Sequence, residues 1–210
     1  MTGIGLTVTT DLGNGNLGTL LPSQEWDVVI IQIDNFSLQQ AEIDAITTYI
    51  SNGGKIIFNY WDMNAAPTSF TELMGIANTI SFTTPMEVEV WDTANSIFSN
   101  PNAISNIPTN GTDNGNDNGD RLEPTADASV IAGFVATPTT NEGAIILAND
   151  NFSIYHGFSL QDMDATVAAE LIENEIEFLL VTLSTEESEL QDNVTIYPVS
   201  YTHLTLPTKA

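Results

Sequence analysis

The sequence contains no cysteine, which excludes disulfide bonds, thiolate metal ligands and cysteine nucleophiles. Basic residues are nearly as scarce: 3 Lys and Arg stand against 28 Asp and Glu, and the formal net charge is −25. So acidic a surface repels nucleic acid and anionic membranes. No apolar run approaches the roughly 18 residues that a membrane span needs. We therefore expect neither a nucleic-acid partner nor a membrane span.

The remaining composition fits a folded domain with one sizeable core. Hydrophobic residues make up 42% of the 210 residues, and the mean hydropathy is +0.02. The acidic surface suits a salty or calcium-containing medium, in which cations screen or bind carboxylates. A solvated acidic surface without any specific partner explains the same composition.

One stretch organises the chain, and it has a strand-helix-strand pattern. Residues 28–33 form a nearly continuous β-branched run, typical of a strand buried on both faces of a parallel sheet. Ser37 is predicted to cap the next helix, with Gln40 completing a capping box. Asn52 and two following glycines end that helix, and residues 55–60 form a second apolar strand. Together these segments predict a right-handed βαβ crossover.

The carboxyl ends of these two strands are the expected functional edge of the sheet. The candidate ligand-binding residues there are Asp34, Tyr60, Trp61, Asp62 and Asn64. Aromatic rings beside carboxylates and amides suit a carbohydrate or a peptide. The alternative is that Tyr60 and Trp61 merely cover the end of the sheet.

Apolar periodicity and turn residues predict the other elements. They are strands at 4–9, 79–83, 86–91, 128–134, 144–148 and 152–155, a helix at 68–78, an exposed loop at 100–120, and a last helix capped by Asp162 or Asp164. The strands at 144–148 and 152–155 are expected to form a hairpin. In a doubly wound fold a strand and a helix usually precede a strand such as 4–9. We therefore expect Met1 to be an internal methionine of a longer reading frame.

An Asn- and Asp-rich loop is the metal candidate, because calcium prefers several oxygen ligands on a flexible turn. Three asparagines at alternate positions before a glycine imitate an EF-hand loop. The oxygen ligands are Asn114, Asn116, Asn118, Asp120 and Glu123. Thr125 stands where the bidentate Glu belongs, and Glu123 falls two residues early. A solvated turn is the alternative, and no cofactor other than calcium is expected.

His156 is a further candidate for the ligand site. A lone His beside a strand end is more often a hydrogen-bonded structural residue than a base or a metal ligand.

The C-terminal region changes character. Residues 184–192 form an acidic linker by composition. The following Asn193-Val194-Thr195-Ile196-Tyr197-Pro198 resembles the opening of the C-terminal sorting domain of type IX secretion substrates in Bacteroidetes. Residues 199–208, VSYTHLTLPT, resemble translated sequencing adapter, so residues 199–210 are expected to be an artefact. The resemblance of residues 193–198 to a sorting domain implies a secreted or cell-surface protein.

The body of the chain also resembles a known superfamily. DVVIIQIDNFSLQQAEIDAITTYISNGGKIIFNYWD is similar to class I glutamine amidotransferase-like domains, including ThuA-like domains, and the likeness covers roughly residues 4–182. It implies a three-layer α/β fold, flavodoxin-like, with a mostly parallel sheet and helices on both faces. The family's enzymes carry a nucleophilic cysteine on a strand-to-helix turn. Here residues 59–62 occupy that place, without cysteine and without a G-x-S-x-G elbow, which argues against such chemistry.

These observations predict an amidotransferase-like domain at 1–183, the linker, the start of a truncated sorting domain at 193–198, and the artefact. The expected function is a non-catalytic accessory or ligand-binding domain of a larger exported bacterial protein. Its expected partners are other domains of the same polypeptide, the type IX secretion machinery, and a carbohydrate or peptide. One alternative is a ThuA-like hydrolase using His156 with Asp34 or Asp62. Another is a calcium-stabilised adhesive module.

Overall fold

The computed structural model describes residues 16–33, 37–84, 86–109 and 119–190. The helices are α1 (Leu17–Leu20), α2 (Gln40–Ser51), α3 (Thr68–Leu73) and α4 (Ala165–Leu190). The strands are β1 (Val29–Ile33), β2 (Ile56–Tyr60), β3 (Ile76–Phe82), β4 (Val88–Val90), β5 (Asn106–Ile107), β6 (Gly119–Pro124), β7 (Ser129–Gly133), β8 (Gly143–Ala148) and β9 (Ser153–His156). Short 3-10 helices span Leu21–Ser23, Met63–Ala65, Ser96–Phe98 and Leu160–Asp162. The strand predicted at 4–9 lies outside the described residues.

The described strands form one mixed sheet. Its order is β1-β2-β9-β8-β7-β4-β5, and β6 joins β3 to β8 beside that path. The pairings β1–β2 and β2–β9 are parallel, and the pairings beyond β9 are antiparallel. The α/β class is confirmed, as is the hairpin of β8 and β9.

Helices cover both faces of the sheet, which confirms the three-layer architecture. On one face, α2 packs Ile43, Ile46 and Ile50 into a cluster with the buried side chains of β2. On the other face, α4 buries Leu171 and Leu179, which have no exposed surface. Burying one such side chain contributes about 1.5–3 kcal/mol, so the two helices hold the parallel strands between them.

β1 departs from the burial that its sequence predicts. Ile31 and Ile33 are buried beneath α2, but Ile30 on the opposite face is 46% exposed. In the described sheet β1 is the last strand on its side. The strand itself is confirmed, and burial on both faces is wrong, because Ile30 and Gln32 are exposed on the face away from α2.

Helix starts were predicted with mixed success. The Ser37–Gln40 cap is wrong: α2 starts at Gln40, and the Glu42 carboxylate accepts a hydrogen bond from the Gln39 N–H at 2.9 Å. The Asp164 cap of α4 is confirmed, since its Oδ1 accepts from the N–H of Thr166 at 2.9 Å. Both starts follow the same physics, a carboxylate satisfying an N–H that has no partner within the helix.

The helix predicted at 68–78 is too long. It ends at Leu73 because Gly75 takes the left-handed conformation (φ +81°), and a Cβ there would lie 2.6 Å from that of Ala148. β3 then begins at Ile76.

β6 was not predicted, because its sequence GDRLEP carries turn residues rather than a β-branched run. Its pairing with β3 and the burial of Leu122 hold it in the sheet. At the other end of the chain, α4 continues through Leu190, so residues 184–190 of the predicted linker are helical. None of the described helices is long and apolar enough to span a membrane.

Candidate ligand-binding edge

The carboxyl ends of the three parallel strands β1, β2 and β9 lie at one edge of the sheet. Every residue of β2 is buried, so the first exposed side chains appear just beyond Tyr60. Trp61 and Asp62 follow directly and are partly exposed, and Asn64 is exposed on the next 3-10 turn. Three of the predicted residues therefore reach the surface together after one strand.

A buried carboxylate links this turn to β3 and β6. The Asp120 side chain has no exposed surface, and its Oδ1 accepts a hydrogen bond from the Ser81 hydroxyl at 2.9 Å. Its Oδ2 accepts from the backbone N–H of Asn64 at 3.2 Å, and the Asn64 side-chain amide donates to Ser81 Oγ at 2.6 Å. Ser81 and Asn64 are both exposed. We call Asn64, Ser81 and Asp120 the polar cluster. In it the buried Asp120 carboxylate holds in place an amide and a hydroxyl that are exposed to solvent.

Next to the polar cluster, the backbones of two segments lie in direct contact. The Asp120 N–H donates to the Gly157 carbonyl at 2.8 Å, so the start of β6 touches the end of β9. Gly119 has φ +150°, and a Cβ on Gly119 or Gly157 would collide with a backbone carbonyl of the other segment. Glycine is required at both positions for this close approach.

Tyr60 and Trp61 contribute differently to the edge. The Tyr60 ring is 2% exposed, and its hydroxyl accepts a hydrogen bond from the Leu38 N–H at 3.4 Å. Burial raises the pKa of Tyr60 above its ordinary value, and the negative charges of Asp62 and Asp120 act in the same direction. Trp61 meets Tyr60 edge to face at 6.4 Å between ring centroids, and its buried Nε1 has no hydrogen-bond partner in the described part of the chain. Tyr60 covers the end of the sheet, and Trp61 offers the unused donor.

His156 is placed below the edge, inside the protein. Its Nε2 lies 2.7 Å from Glu175 Oε1 on α4, and neither side chain has any exposed surface. The imidazole stacks on the Phe158 ring at 5.2 Å. A group so enclosed contacts no ligand at the surface unless α4 moves away from the sheet.

Polar groups at the end of β2 make hydrogen bonds within the fold. The Asn59 side-chain amide donates to the Phe158 carbonyl, and the Tyr60 carbonyl accepts from the Tyr155 hydroxyl at 2.7 Å.

The predicted calcium ligands separate into two groups. Asn114, Asn116 and Asn118 lie outside the described residues. Asp120 and Glu123 lie three residues apart on β6, and alternation places them on opposite faces of that strand. Across the described ranges no group of three or more His, Cys, Asp or Glu side chains is arranged to hold a metal ion. The calcium site stays a prediction.

Asp34 also lies outside the described residues, directly after the carboxyl end of β1. Two residues that the structure makes important, Ser81 in the polar cluster and Glu175 as the partner of His156, were missed from the sequence. Nothing in the local pattern singles out Ser81. Glu175 carried a signal, because it interrupts the apolar row that Leu171 and Leu179 form at four-residue spacing on α4. A carboxylate in such a row indicates a buried partner.

No family model matches the sequence, and neither does any curated protein. Among solved structures, the chain is similar to a GMP synthase-type protein from Thermoplasma acidophilum, with 12% identity, 80% of this chain and 77% of that chain covered, and a TM-score of 0.49. It is also similar to a ThuA-like protein from Parabacteroides merdae, with 9% identity, 74% and 70% covered, and a TM-score of 0.45. A cytoplasmic protein from Salmonella typhimurium gives 12% identity, 77% and 74% covered, and a TM-score of 0.48. The assignment to the α/β class rests on the strand pairings themselves.

Proposed function

We propose that this chain is a non-catalytic ligand-binding or accessory domain of a larger exported bacterial protein, and that its ligand sits on the polar cluster beside Trp61. The observation that carries the proposal is the difference in burial between the histidine and the other predicted side chains of this edge. The one described histidine is buried against Glu175 and Phe158, while Trp61, Asn64 and Ser81 reach the surface. Edges of this kind are where open α/β sheets bind ligands.

The chemistry of the edge favours a carbohydrate or a polar peptide. Partly exposed Trp61 supplies an apolar surface, and the Asn64 amide and Ser81 hydroxyl supply directional hydrogen bonds. Hydroxyl-rich ligands use both features together. Asp120 holds the amide and hydroxyl in place and is itself too deeply buried to touch a ligand.

The binding test is a titration of the 210-residue chain with a panel of neutral oligosaccharides and short polar peptides, followed by calorimetry and tryptophan fluorescence. We expect Trp61→Ala and Asn64→Ala each to weaken binding by about tenfold, because losing a stacked ring or a hydrogen bond to a ligand costs roughly 1–2 kcal/mol. Trp91→Phe is the matched control, since Trp91 Nε1 donates to the Val135 carbonyl in a different part of the sheet.

The same panel tests the alternative hydrolase. Binding that persists unchanged in Trp61→Ala would contradict the proposed site. Turnover of any panel compound, lost in Asp62→Asn or His156→Gln and kept in Trp91→Phe, would contradict the non-catalytic role.

The exported setting rests on the resemblance of residues 193–198 to a sorting domain, and on the acidic composition. In that setting the partners are neighbouring domains of the same polypeptide and the type IX secretion machinery. Long-read sequencing of the source locus checks this: a frame that continues from Pro198 into a sorting domain supports it, and a genomic frame that encodes residues 199–210 contradicts it.

A further inference from the structure

An apolar groove lies beside α4, on the face of the sheet that α4 covers. Its volume is about 660 Å³, and β1, the 3-10 helix Leu160–Asp162 and the first half of α4 contribute to its walls. The residues that α4 contributes are Ala165, Ala168, Ala169, Ile172, Glu173 and Ile176. A cleft of this volume is large enough to hold a ligand or part of a partner protein.

Apolar surface is open to solvent on both walls of this groove. Gln32 of β1 lines the groove, and Ile30 points to the same face of the sheet, because side chains alternate along a strand. Ile30 is 46% exposed. On the other wall, Ala165 and Ala169 are exposed as well. A partner that removes this surface from water would be held by the hydrophobic effect.

The spacing of the α4 wall fits a second helix. Its apolar residues follow one another at intervals of three or four positions, from Ala165 through Ala169 and Ile172 to Ile176. Such a stripe is the surface along which two helices pack, and small side chains in it allow a close approach. The stripe is about 17 Å long, or about three turns. A helix of three to four turns therefore fits beside α4.

One rim of the groove carries a row of carboxylates. Glu173 lines the groove, and the partly exposed Glu170 and Glu177 lie one helical turn before and after it on the same flank of α4. Glu173 Oε2 accepts a hydrogen bond from the Asn102 side-chain amide at 3.0 Å, which holds this carboxylate in place. Like charges three or four residues apart destabilise a helix. A partner with positive charges opposite the row would relieve this repulsion.

The basic residues in the described part of the chain are committed elsewhere. Lys55 is buried and donates to the Leu179 carbonyl, and Arg121 pairs with Glu142 at 2.9 Å. A second copy of the chain, with its own net charge of −25, would add to the repulsion. Charge complementarity therefore favours a basic partner of a different sequence.

We propose that this groove binds a basic amphipathic helix of a partner polypeptide. The apolar face of that helix packs on Ala169, Ile172 and Ile176, and its Lys or Arg side chains face Glu173 and Glu177. Recognition of an amphipathic helix in an apolar groove is a common mode of protein association, and charges at the rim set its orientation. This interaction surface goes beyond the proposed ligand site and does not depend on it.

The test titrates the 210-residue chain with a synthetic peptide of Leu, Ala and Lys, about 18 residues long, whose apolar residues recur at helical spacing. Calorimetry measures Kd at physiological ionic strength, where exposed charges more than about 8 Å apart are largely screened. We expect Glu173→Gln with Glu177→Gln to weaken binding about fivefold, because two ion pairs at the rim are lost. Ala169→Arg places bulk and positive charge in the groove at an exposed position and should weaken binding at least about tenfold.

The matched control is Glu72→Gln with Glu87→Gln, which removes the same charge from exposed positions that do not line the groove. Its Kd should change less than about twofold, since distant charges are screened. Equal weakening in this control would show that net charge alone attracts the peptide and would overturn the proposal. Equally tight binding of a scrambled peptide without an apolar stripe, or no binding of the original peptide, would overturn it too.

Methyl NMR locates the bound peptide without any substitution. Binding should shift the methyl signals of Ile172 and Ile176 and leave that of Ile76, which is buried in the cluster beneath α2, unchanged. Shifts confined to residues outside the groove would overturn the proposal. Sedimentation of the chain alone tests the competing occupant: a dimer that Ala169→Arg dissociates would assign the groove to a second copy and overturn the proposal as well.

Discussion

The hydrogen bonding and pKa of Tyr49 are set by its burial beside the turn that follows α2. Its hydroxyl donates to the Lys55 carbonyl at 3.1 Å, and its ring lies against Gly54. Burial raises the pKa of Tyr49 to about 12, which the Lys55 hydrogen bond opposes and the charge of Asp27 reinforces. The hydroxyl's partner lies on the far side of the turn that follows α2, at the start of the next strand.

A pH dependence follows from this raised pKa. Up to pH 10 the tyrosine keeps its proton in both folded and unfolded chains; above pH 10 the unfolded chain loses it first, and stability falls as pH rises toward 12. We expect Tyr49→Phe to cost about 1 kcal/mol at pH 8 and to flatten this alkaline decline. Urea unfolding midpoints between pH 8 and 11.5 measure both. The pKa of Tyr60 is also raised, so a shallower alkaline loss of stability should remain in Tyr49→Phe. A loss as steep as in the parent chain would contradict the assignment of the pH dependence to Tyr49.

At the scale of elements, α4 is fastened to the sheet by buried polar contacts as well as by its apolar face. Glu175 meets His156 of β9, and the Lys55 ammonium donates to the Leu179 carbonyl. Removing one member of a buried pair strands the other without compensation, at about 3–5 kcal/mol. We expect Glu175→Met and His156→Leu each to destabilise by that amount in urea unfolding, and the double variant to be more stable than either single one.

Glu177→Ala is the control for this prediction, because Glu177 is a partly exposed glutamate on the same helix. Its change should stay within about 0.5 kcal/mol. If Glu175→Met and His156→Leu are as stable as this control, the Glu175–His156 pair does not stabilise the packing of α4 on the sheet.

Elements with strong periodicity were predictable from the sequence, and elements fixed by distant partners were not. β2, α2 and the hairpin of β8 and β9 each bury an apolar pattern that is visible locally. β6 is held by pairing with β3, which no local pattern encodes. The same division applies to the candidate site. The turn after β2 was predictable, whereas Ser81 arrives through that β3–β6 pairing.

For the whole molecule, charge is the dominant property. With 28 acidic and 3 basic residues, like charges repel across the surface at low ionic strength. Raising NaCl from 20 to 500 mM shortens the screening length to a few ångströms and should stabilise the fold by about 1 kcal/mol, or roughly 2–4 °C in Tm.

Divalent ions separate general screening from a specific site. Calcium and magnesium at equal ionic strength should raise Tm equally if screening alone acts. A markedly larger rise with calcium would favour the calcium-stabilised alternative and the loop that contains Asn114, Asn116 and Asn118.

The glycine contact between β6 and β9 limits how this protein can diversify. Because Gly119 and Gly157 meet backbone to backbone, a saturation library would retain almost only glycine at both positions, while Asn64 and Ser81 would tolerate many replacements. The two glycine positions are thus constrained, and the exposed positions around them are open to variation. At the proposed ligand site, sequence variation would then concentrate in side chains on the 3-10 turn and β3, on a backbone that itself stays constant.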